Sequence, residues 1–124
     1  MMESQFRIRT RTFARGVILD MDGDVTKQAE DALLGEQPWG RGLDVPGSCL
    51  ILNFSNVSYM NSSGIAVLIR LVRTGAKGRF HTFAFGISPH FQKLFRMVGL
   101  TEYMMIYPDE YAVLERIDCL TRSE

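Results

Sequence analysis

The chain has 124 residues, of which 46% are hydrophobic and 23% charged, a composition typical of folded globular domains rather than of disordered or fibrous chains. Fourteen basic residues balance fourteen acidic ones, so net charge does not indicate nucleic acid or an anionic membrane as the main partner. This length is sufficient for one domain that buries about two-thirds of its unfolded surface. We therefore expect a single domain over residues 1–124, with its core between residues 6 and 120.

The amino-terminal segment alternates apolar and polar residues and predicts a β-hairpin. Its first strand covers Phe6 to Arg11, and its second is "GVILDMDG", from Gly16 to Gly23. The alternation places Arg7, Arg9 and Arg11 on one strand face. A solvated strand face is the simpler interpretation, and a docking surface for an acidic partner is the alternative.

A short helix and a long loop are predicted next. The stretch "TKQAEDALLGEQ" favours a helix that Thr26 or Asp24 caps. The segment from Glu36 to Ser48 contains three glycines and two prolines, which predicts a loop without regular structure. We expect its Trp39 to cover an edge of the core rather than to stack on a ligand.

A buried strand and a helix meet at the sequence "NSSG". The run "CLILNFSNVSYM", from Cys49 to Met60, predicts a strand buried on both faces. The helix after it is predicted to end between Gly75 and Gly78. Its predicted core stripe consists of Ile65, Leu68, Ile69 and Val72.

The carboxyl-terminal third predicts a strand, a helix, a strand and a helix. The strand "RFHTFAFGIS" leads to a helix with Ser88 at its cap, Pro89 in its first turn and Gly99 at its end. The strand "TEYMMIYP" leads to a last helix capped near Asp109. The side chains predicted to face the core from these two helices are Phe91, Leu94, Phe95, Val98, Ala112, Val113, Ile117 and Leu120.

The element order is therefore ββαβαβαβα. Strands that alternate with helices through short connections indicate βαβ crossovers and a parallel sheet. We predict an α/β fold in which helices pack on a mostly parallel sheet of four to five strands, with an antiparallel hairpin at the amino terminus.

The two cysteines and the lengths of the apolar runs are evidence for the cellular compartment of the protein. Cys49 and Cys119 have apolar neighbours and no C-x-x-C spacing, which favours buried free thiols over a disulfide or a metal pair. The sequence has no apolar leader and no run long enough to span a membrane. We expect a cytoplasmic protein without membrane contact.

Catalytic and cofactor motifs are missing from the sequence. A serine nucleophile needs a nearby base, but His81 and His90 belong to other elements, and "NSSGI" is not the G-x-S-x-G elbow of hydrolases. The segment "GAKG" does not match the phosphate-binding or dinucleotide loops. A metal cluster at Asp20, Asp22 and Asp24 is an alternative to a solvated strand end. We expect no cofactor.

Adjacent hydroxyls stand where the buried strand changes into the helix. A phosphoryl group on Ser62 or Ser63 would lie at a helix amino terminus, where free N–H groups and the helix dipole favour an anion. Such a modification changes the surface charge without unfolding the domain. The alternative is that Ser62 only caps the helix.

The helix after the serines has apolar residues outside its predicted core stripe. They are Ala66, Val67 and Leu71, and its charged residues are Arg70 and Arg73. Either both sides of the helix are buried, or one side is kept for a partner. An apolar face beside a phosphorylatable helix start is typical of a docking surface with an on and an off state.

Two blocks of the sequence resemble a known family. They are "LILNFSNVSYMNSSGIAVLIRLVRTG" and "FGISPHFQKLFRMVGLTEYMMIYPDEYAVL". Both are similar to STAS domains, and more closely to the bacterial anti-sigma factor antagonists, or anti-anti-sigma factors. The similarity extends roughly from Phe6 to Leu120.

The resemblance implies a partner switch and no catalytic activity. In this family an anti-sigma factor that is a serine kinase phosphorylates the first corner serine, and a PP2C-type phosphatase removes the phosphate. The acceptor here is Ser62, with Ser63 as the alternative, and Asn61 and Gly64 form the corner and the helix cap. The unphosphorylated protein binds the anti-sigma factor and releases a sigma factor. The expected partner surface consists of Asp24, Ser62, Ser63, Ala66, Val67, Arg70 and Leu71.

One corner residue departs from the family pattern, because Asn61 stands where the family has an aspartate. Asparagine keeps the turn and capping ability but lacks the negative charge. This change favours the alternative of a constitutive STAS interaction or scaffold module that phosphorylation does not switch. A nucleotide-binding STAS domain is a further alternative. We expect no direct nucleic-acid contact, and the sequence leaves a homodimer open.

Overall fold

Five strands form one sheet in the spatial order β1-β2-β3-β4-β5. The structure is a computed structural model, and it describes residues 6–35 and 38–122. The strands are β1 (Arg7–Phe13), β2 (Gly16–Val25), β3 (Ser48–Met60), β4 (Phe80–Phe85) and β5 (Met104–Tyr107). β1 pairs with β2 antiparallel, and the other three pairings are parallel. The predicted α/β class and the amino-terminal hairpin are confirmed.

Four α-helices alternate with the parallel strands. They are α1 (Glu30–Leu34), α2 (Ser62–Thr74), α3 (Pro89–Met97) and α4 (Glu110–Arg122). The shorter helical turns are Lys27–Ala29, Pro38–Leu43, Gly75–Arg79 and Leu100–Glu102. The resulting order of strands and α-helices is the predicted ββαβαβαβα.

The residues predicted as N-caps accept hydrogen bonds at the starts of their helical segments. The Thr26 hydroxyl accepts a hydrogen bond from the Gln28 N–H, and the Ser88 hydroxyl accepts one from the third residue of α3. Asp109 accepts one from the Ala112 N–H at 2.8 Å. Gly99 follows α3 with a φ of 80°, which favours glycine. These bonds satisfy N–H groups that have no partner within the helix.

The helices cover both faces of the sheet. On one face, side chains of α1, α2 and α3, including Leu33, Leu68 and Phe95, pack with β-strand residues in the larger apolar cluster. On the other face, Val113 and Ile117 of α4 pack on a smaller cluster. The strand residues of that smaller cluster are Ile18, Cys49, Ile51, Phe83 and Phe85.

The segment after residue 37 corrects one prediction. The sequence pattern predicts no regular element there, but Pro38–Leu43 forms a 3₁₀ helix; Glu36 and Gln37 lie outside the described residues. The turn forms because Leu43 is buried and the indole N–H of Trp39 donates to the Ala32 carbonyl at 3.1 Å. Trp39 packs against the edge of the larger cluster.

Three residues predicted to be buried are exposed. They are Val98, Cys119 and Leu120. Each lies at or just after the last turn of a helix, on a side that the sheet does not cover. Cys49 is buried, and burial raises the pKa of its thiol. Neither cysteine forms a disulfide.

Arg11 departs from the predicted solvated strand face. Its guanidinium donates to the Asp20 carboxylate at 2.7 and 2.8 Å and to the Glu110 carboxylate at 2.6 and 3.1 Å. The hydrogen bonds from Arg11 hold the pKa of Asp20 below its ordinary value. Arg7 and Arg9 are exposed as predicted. Arg11 thus connects the hairpin to the first turn of α4.

A buried hydroxyl on β4 gives a stability prediction. Thr82 is 3% exposed, and its hydroxyl has no hydrogen-bond partner among the described residues. Because an unsatisfied buried hydroxyl is destabilising, we expect Thr82→Val to raise the free energy of unfolding by about 1 kcal/mol. Urea denaturation of this variant and of Thr12→Val, an exposed matched control, checks it. Destabilisation by Thr82→Val would contradict the prediction.

Candidate functional site at the start of helix α2

The corner between β3 and α2 is held against the end of β2. Met60, the last residue of β3, pairs with Val25, the last residue of β2. The Asn61 N–H then donates to the Val25 carbonyl at 3.3 Å. Asp24 pairs with Tyr59 one position earlier, so the predicted site residue Asp24 borders the corner.

Asn61 is the N-cap residue of α2. Its backbone is extended, with φ −114° and ψ 178°, and its side-chain oxygen accepts a hydrogen bond from the Gly64 N–H at 2.9 Å. Its carbonyl accepts the first intrahelical bond, from Ile65, also at 2.9 Å. The alternative in which Ser62 caps the helix is therefore wrong, because Ser62 is already the first helical residue.

Gly64 lets the helix approach the sheet closely. A Cβ atom at this position would lie 1.9 Å from the Val25 carbonyl oxygen and 2.4 Å from the Val25 carbonyl carbon. Only a residue without a side chain fits this approach, because the neighbouring atoms belong to backbone and cannot rotate away. The contact fixes the rotation of α2 about its axis.

The two corner serines are exposed at the start of the helix. The first N–H groups of a helix have no partner within it, and the helix dipole is positive at this end. The first turn of α2 contains no acidic residue. A phosphate on Ser62 or Ser63 would therefore be accommodated without repulsion from that turn.

One side of α2 faces solvent, and we call it the outer face. It consists of Ser62, Ser63, Ala66, half-buried Ile69, Arg70 and Arg73. Arg70 forms an ion pair with Glu30, so its guanidinium is directed toward the start of α1. The hydrogen bond from Arg70 lowers the pKa of Glu30.

The predicted partner surface needs a correction on α2. Val67 and Leu71 are 1% and 3% exposed and belong to the larger apolar cluster. The close approach of Gly64 to β2 turns these side chains toward the core and leaves Ile69 at the margin. Ile69 and Arg73, which are not among the predicted partner residues, lie on the outer face. A helical projection centred on Gly64 as the buried side would have placed Ile69 and Arg73 on the exposed side.

The three aspartates of β2 do not form a metal site. No group of residues suited to hold a metal ion occurs within residues 6–35 and 38–122. The Asp20 carboxylate instead accepts hydrogen bonds from Arg11 and from the Asn53 amide, at 2.8 Å. Bulges in the β2–β3 pairing between Asp20 and Asp22 and between Gly23 and Asp24 break the alternation that the prediction assumed.

The capping hydrogen bond of Asn61 leads to a stability prediction. We expect Asn61→Ala to lower the free energy of unfolding by about 1 kcal/mol, because the Gly64 N–H loses its acceptor. Asn61→Asp keeps an acceptor and adds a favourable charge at the helix start, so its stability equals or exceeds that of the natural chain. Thermal unfolding of both variants checks this. Equal stability of Asn61→Ala and the natural chain would contradict the capping role.

Comparisons with known proteins agree with this fold. A family model described as STAS domain matches residues 7–113. An anti-sigma factor antagonist from Mycobacterium paratuberculosis superposes with a TM-score of 0.70 at 18% identity, over 92% of this chain and 95% of that one. An RsbS variant from Moorella thermoacetica gives 0.68 at 18% identity, over 94% and 98%.

A third similar structure is of a Bacillus protein. The cell fate determinant SpoIIAA in its phosphorylated form superposes with a TM-score of 0.59 at 21% identity, over 90% of this chain and 98% of that one. At these identities the structural likeness establishes the fold.

In the part of the chain that the structure describes, no helix has the length and hydropathy to cross a membrane.

Proposed function

This chain belongs to the STAS domain family, and from that membership and the geometry of its α2 corner we propose that it is an anti-sigma factor antagonist switched by phosphorylation of Ser62. Its partner is an anti-sigma factor that is also a serine kinase. A PP2C-type phosphatase restores the unmodified form, which binds the anti-sigma factor and releases a sigma factor. The chain itself performs no catalysis.

The observation that carries the proposal is the position of the Ser62 hydroxyl. Ser62 is exposed at the first helical position, and Asn61 rather than Ser62 supplies the cap. The hydroxyl is therefore not needed to hold the helix. It is available to a kinase, and its modification leaves the capping bond to Gly64 in place.

The outer face supports docking by another protein. Ala66 and half-buried Ile69 offer apolar surface between the serines and the two arginines Arg70 and Arg73. An apolar centre with charged residues at the margin is typical of a protein interface. A phosphate adds roughly −1.5 to −2 charges at the edge of this face, so binding the same partner then requires desolvation of an anion.

Similar proteins support the same modification. SpoIIAA, which has the same fold, has been solved in a phosphorylated and an unphosphorylated form. Carried to this chain, that pair of forms supports a fold that is kept with and without phosphate.

The phosphorylation site is tested by incubating the chain with ATP and the anti-sigma kinase from its own source. We expect stoichiometric phosphate on Ser62 by mass spectrometry, the same stoichiometry in Ser63→Ala, and loss of phosphate in Ser62→Ala. Phosphorylation of Ser62→Ala at another residue, at the stoichiometry of the natural chain, would refute the assignment of Ser62.

A constitutive interaction module is the second candidate, and Asn61 favours it. The residue retains the cap but lacks the negative charge of the aspartate in the family pattern. A kinase that recognises this charge would then leave Ser62 unmodified. The two candidates differ in the behaviour of Ser62→Asp, which loses partner binding if Ser62 is a switch and keeps it if the module is constitutive.

A further inference from the structure

A second surface feature lies at the end of the sheet opposite the Ser62 corner. It is a cavity of about 390 Å³ between the last turns of α4 and the first residues of β3 and β4. Cys49 lines it, whereas Ser62 follows the other end of β3, roughly 35 Å away at about 3.3 Å per residue. The proposed partner switch does not use this cavity.

Apolar side chains form the interior and the mouth of the cavity. Phe83 of β4 and Ile117 of α4 are buried and belong to the smaller apolar cluster. Met105 and Leu120, which also line the cavity, are 39% and 38% exposed. Covering these two side chains with an apolar ligand is favourable, because their surface leaves water.

The charged residues around the cavity are cationic. They are Arg15, from the turn between β1 and β2, and Arg116 of α4. None of the described lining residues is acidic. The ion pairs between described residues use Arg11 and Arg70 as their cations and leave both cavity arginines out. The cavity therefore combines an apolar interior with a positive rim.

We propose that this cavity binds a small anionic amphiphile, with a medium-chain fatty acid as the chemical class. Its carboxylate lies between Arg15 and Arg116, and its alkyl chain contacts Phe83, Met105 and Leu120. Guanidinium groups favour carboxylates because they donate paired hydrogen bonds as well as charge. The cavity volume of about 390 Å³ lies within the range of about 300–1,000 Å³ that small-molecule pockets occupy, and we select decanoate as the probe.

Calorimetric titration of the full chain with decanoate tests the proposal. We expect saturable binding of decanoate, and weaker binding of decanol and of decylammonium, which lack the negative charge. The double variant Arg15→Gln, Arg116→Gln loses about tenfold in affinity for decanoate. The matched double variant Arg7→Gln, Arg96→Gln binds as tightly as the natural chain, because neither arginine lines the cavity.

A second variant tests the location. Met105→Trp fills the mouth of the cavity at a half-exposed position that tolerates a larger side chain, and we expect it to abolish decanoate binding. Decanoate shifts the backbone amide resonances of Cys49, Phe83 and Ile117 more than those of Ser62 and Gly64. The absence of saturable binding, equal affinity for decylammonium, or largest shifts at Ser62 would overturn the proposal and leave the Ser62 switch untouched.

Discussion

Gly64→Ala lowers the free energy of unfolding by about 3 kcal/mol, because the new methyl group overlaps backbone atoms. The added Cβ lies 1.9 Å from the Val25 carbonyl oxygen, and no rotamer change of a neighbouring side chain relieves this contact. Either the start of α2 moves away from β2 or the strand end distorts. Both displace the Asn61 cap and the exposed serines, so the substitution also impairs partner binding.

Urea denaturation measures this effect, and the chain offers a matched glycine. A methyl group added at Gly40 would have no described atom within 4 Å outside its immediate chain neighbours, so Gly40→Ala should stay within about 0.5 kcal/mol of the natural chain. If Gly64→Ala unfolds at the same urea concentration as Gly40→Ala, the close approach of α2 to Val25 is wrong.

Ala66→Glu is expected to reduce the affinity for the anti-sigma partner about 100-fold, because it places a long charged side chain at the centre of the docking face, where the partner would have to desolvate it. Ala66 is exposed on the outer face between Ser62 and Arg70. The fold tolerates the substitution, since Ala66 is exposed, glutamate is a good helix former, and Arg70 follows four residues later. Stability therefore stays unchanged while binding falls.

The matched control for this charge is Ala76→Glu. Ala76 is exposed and follows the end of α2, ten residues after Ala66 and therefore roughly 15 Å farther along the helix axis. Calorimetric titration of the partner into both variants distinguishes a local effect from a change in net charge. Equal weakening by the two substitutions, or no weakening by Ala66→Glu, would exclude the outer face as the docking surface.

Most of the fold could be predicted because its signals are local. Thr26, Ser88 and Asp109 stand at helix starts, and their side chains accept hydrogen bonds from the N–H groups that helix starts leave free. The unbroken apolar run of β3 is that of a central strand covered on both faces. Each signal spans only a few residues and does not depend on distant contacts.

The rotation of α2 could not be predicted in the same way. Most residues of this helix are apolar, so more than one stripe satisfies the helical period. The choice depends on the contact between Gly64 and Val25, which are far apart in sequence. As a result the helical pattern alone assigns Val67 and Leu71 to the partner surface, whereas both are buried.

The role of Arg11 illustrates the same limit. Strand alternation correctly gives the face that Arg11 occupies, but its partners Asp20 and Glu110 come from β2 and α4. An ion pair with a residue about 100 positions away has no signature in the local pattern. The pattern therefore predicts a solvated arginine, although Arg11 joins two distant parts of the chain.

The affinity of the anti-sigma factor for the unmodified and the Ser62-phosphorylated chain tests the central claim most directly. Calorimetric titration of the purified partner into each form measures it, with Ser62→Ala as the form that cannot be modified. We predict tight binding by the unmodified chain and by Ser62→Ala, and binding about 100-fold weaker by the phosphorylated chain. Equal affinities for the phosphorylated and the unmodified chain would contradict the switch and favour a constitutive module.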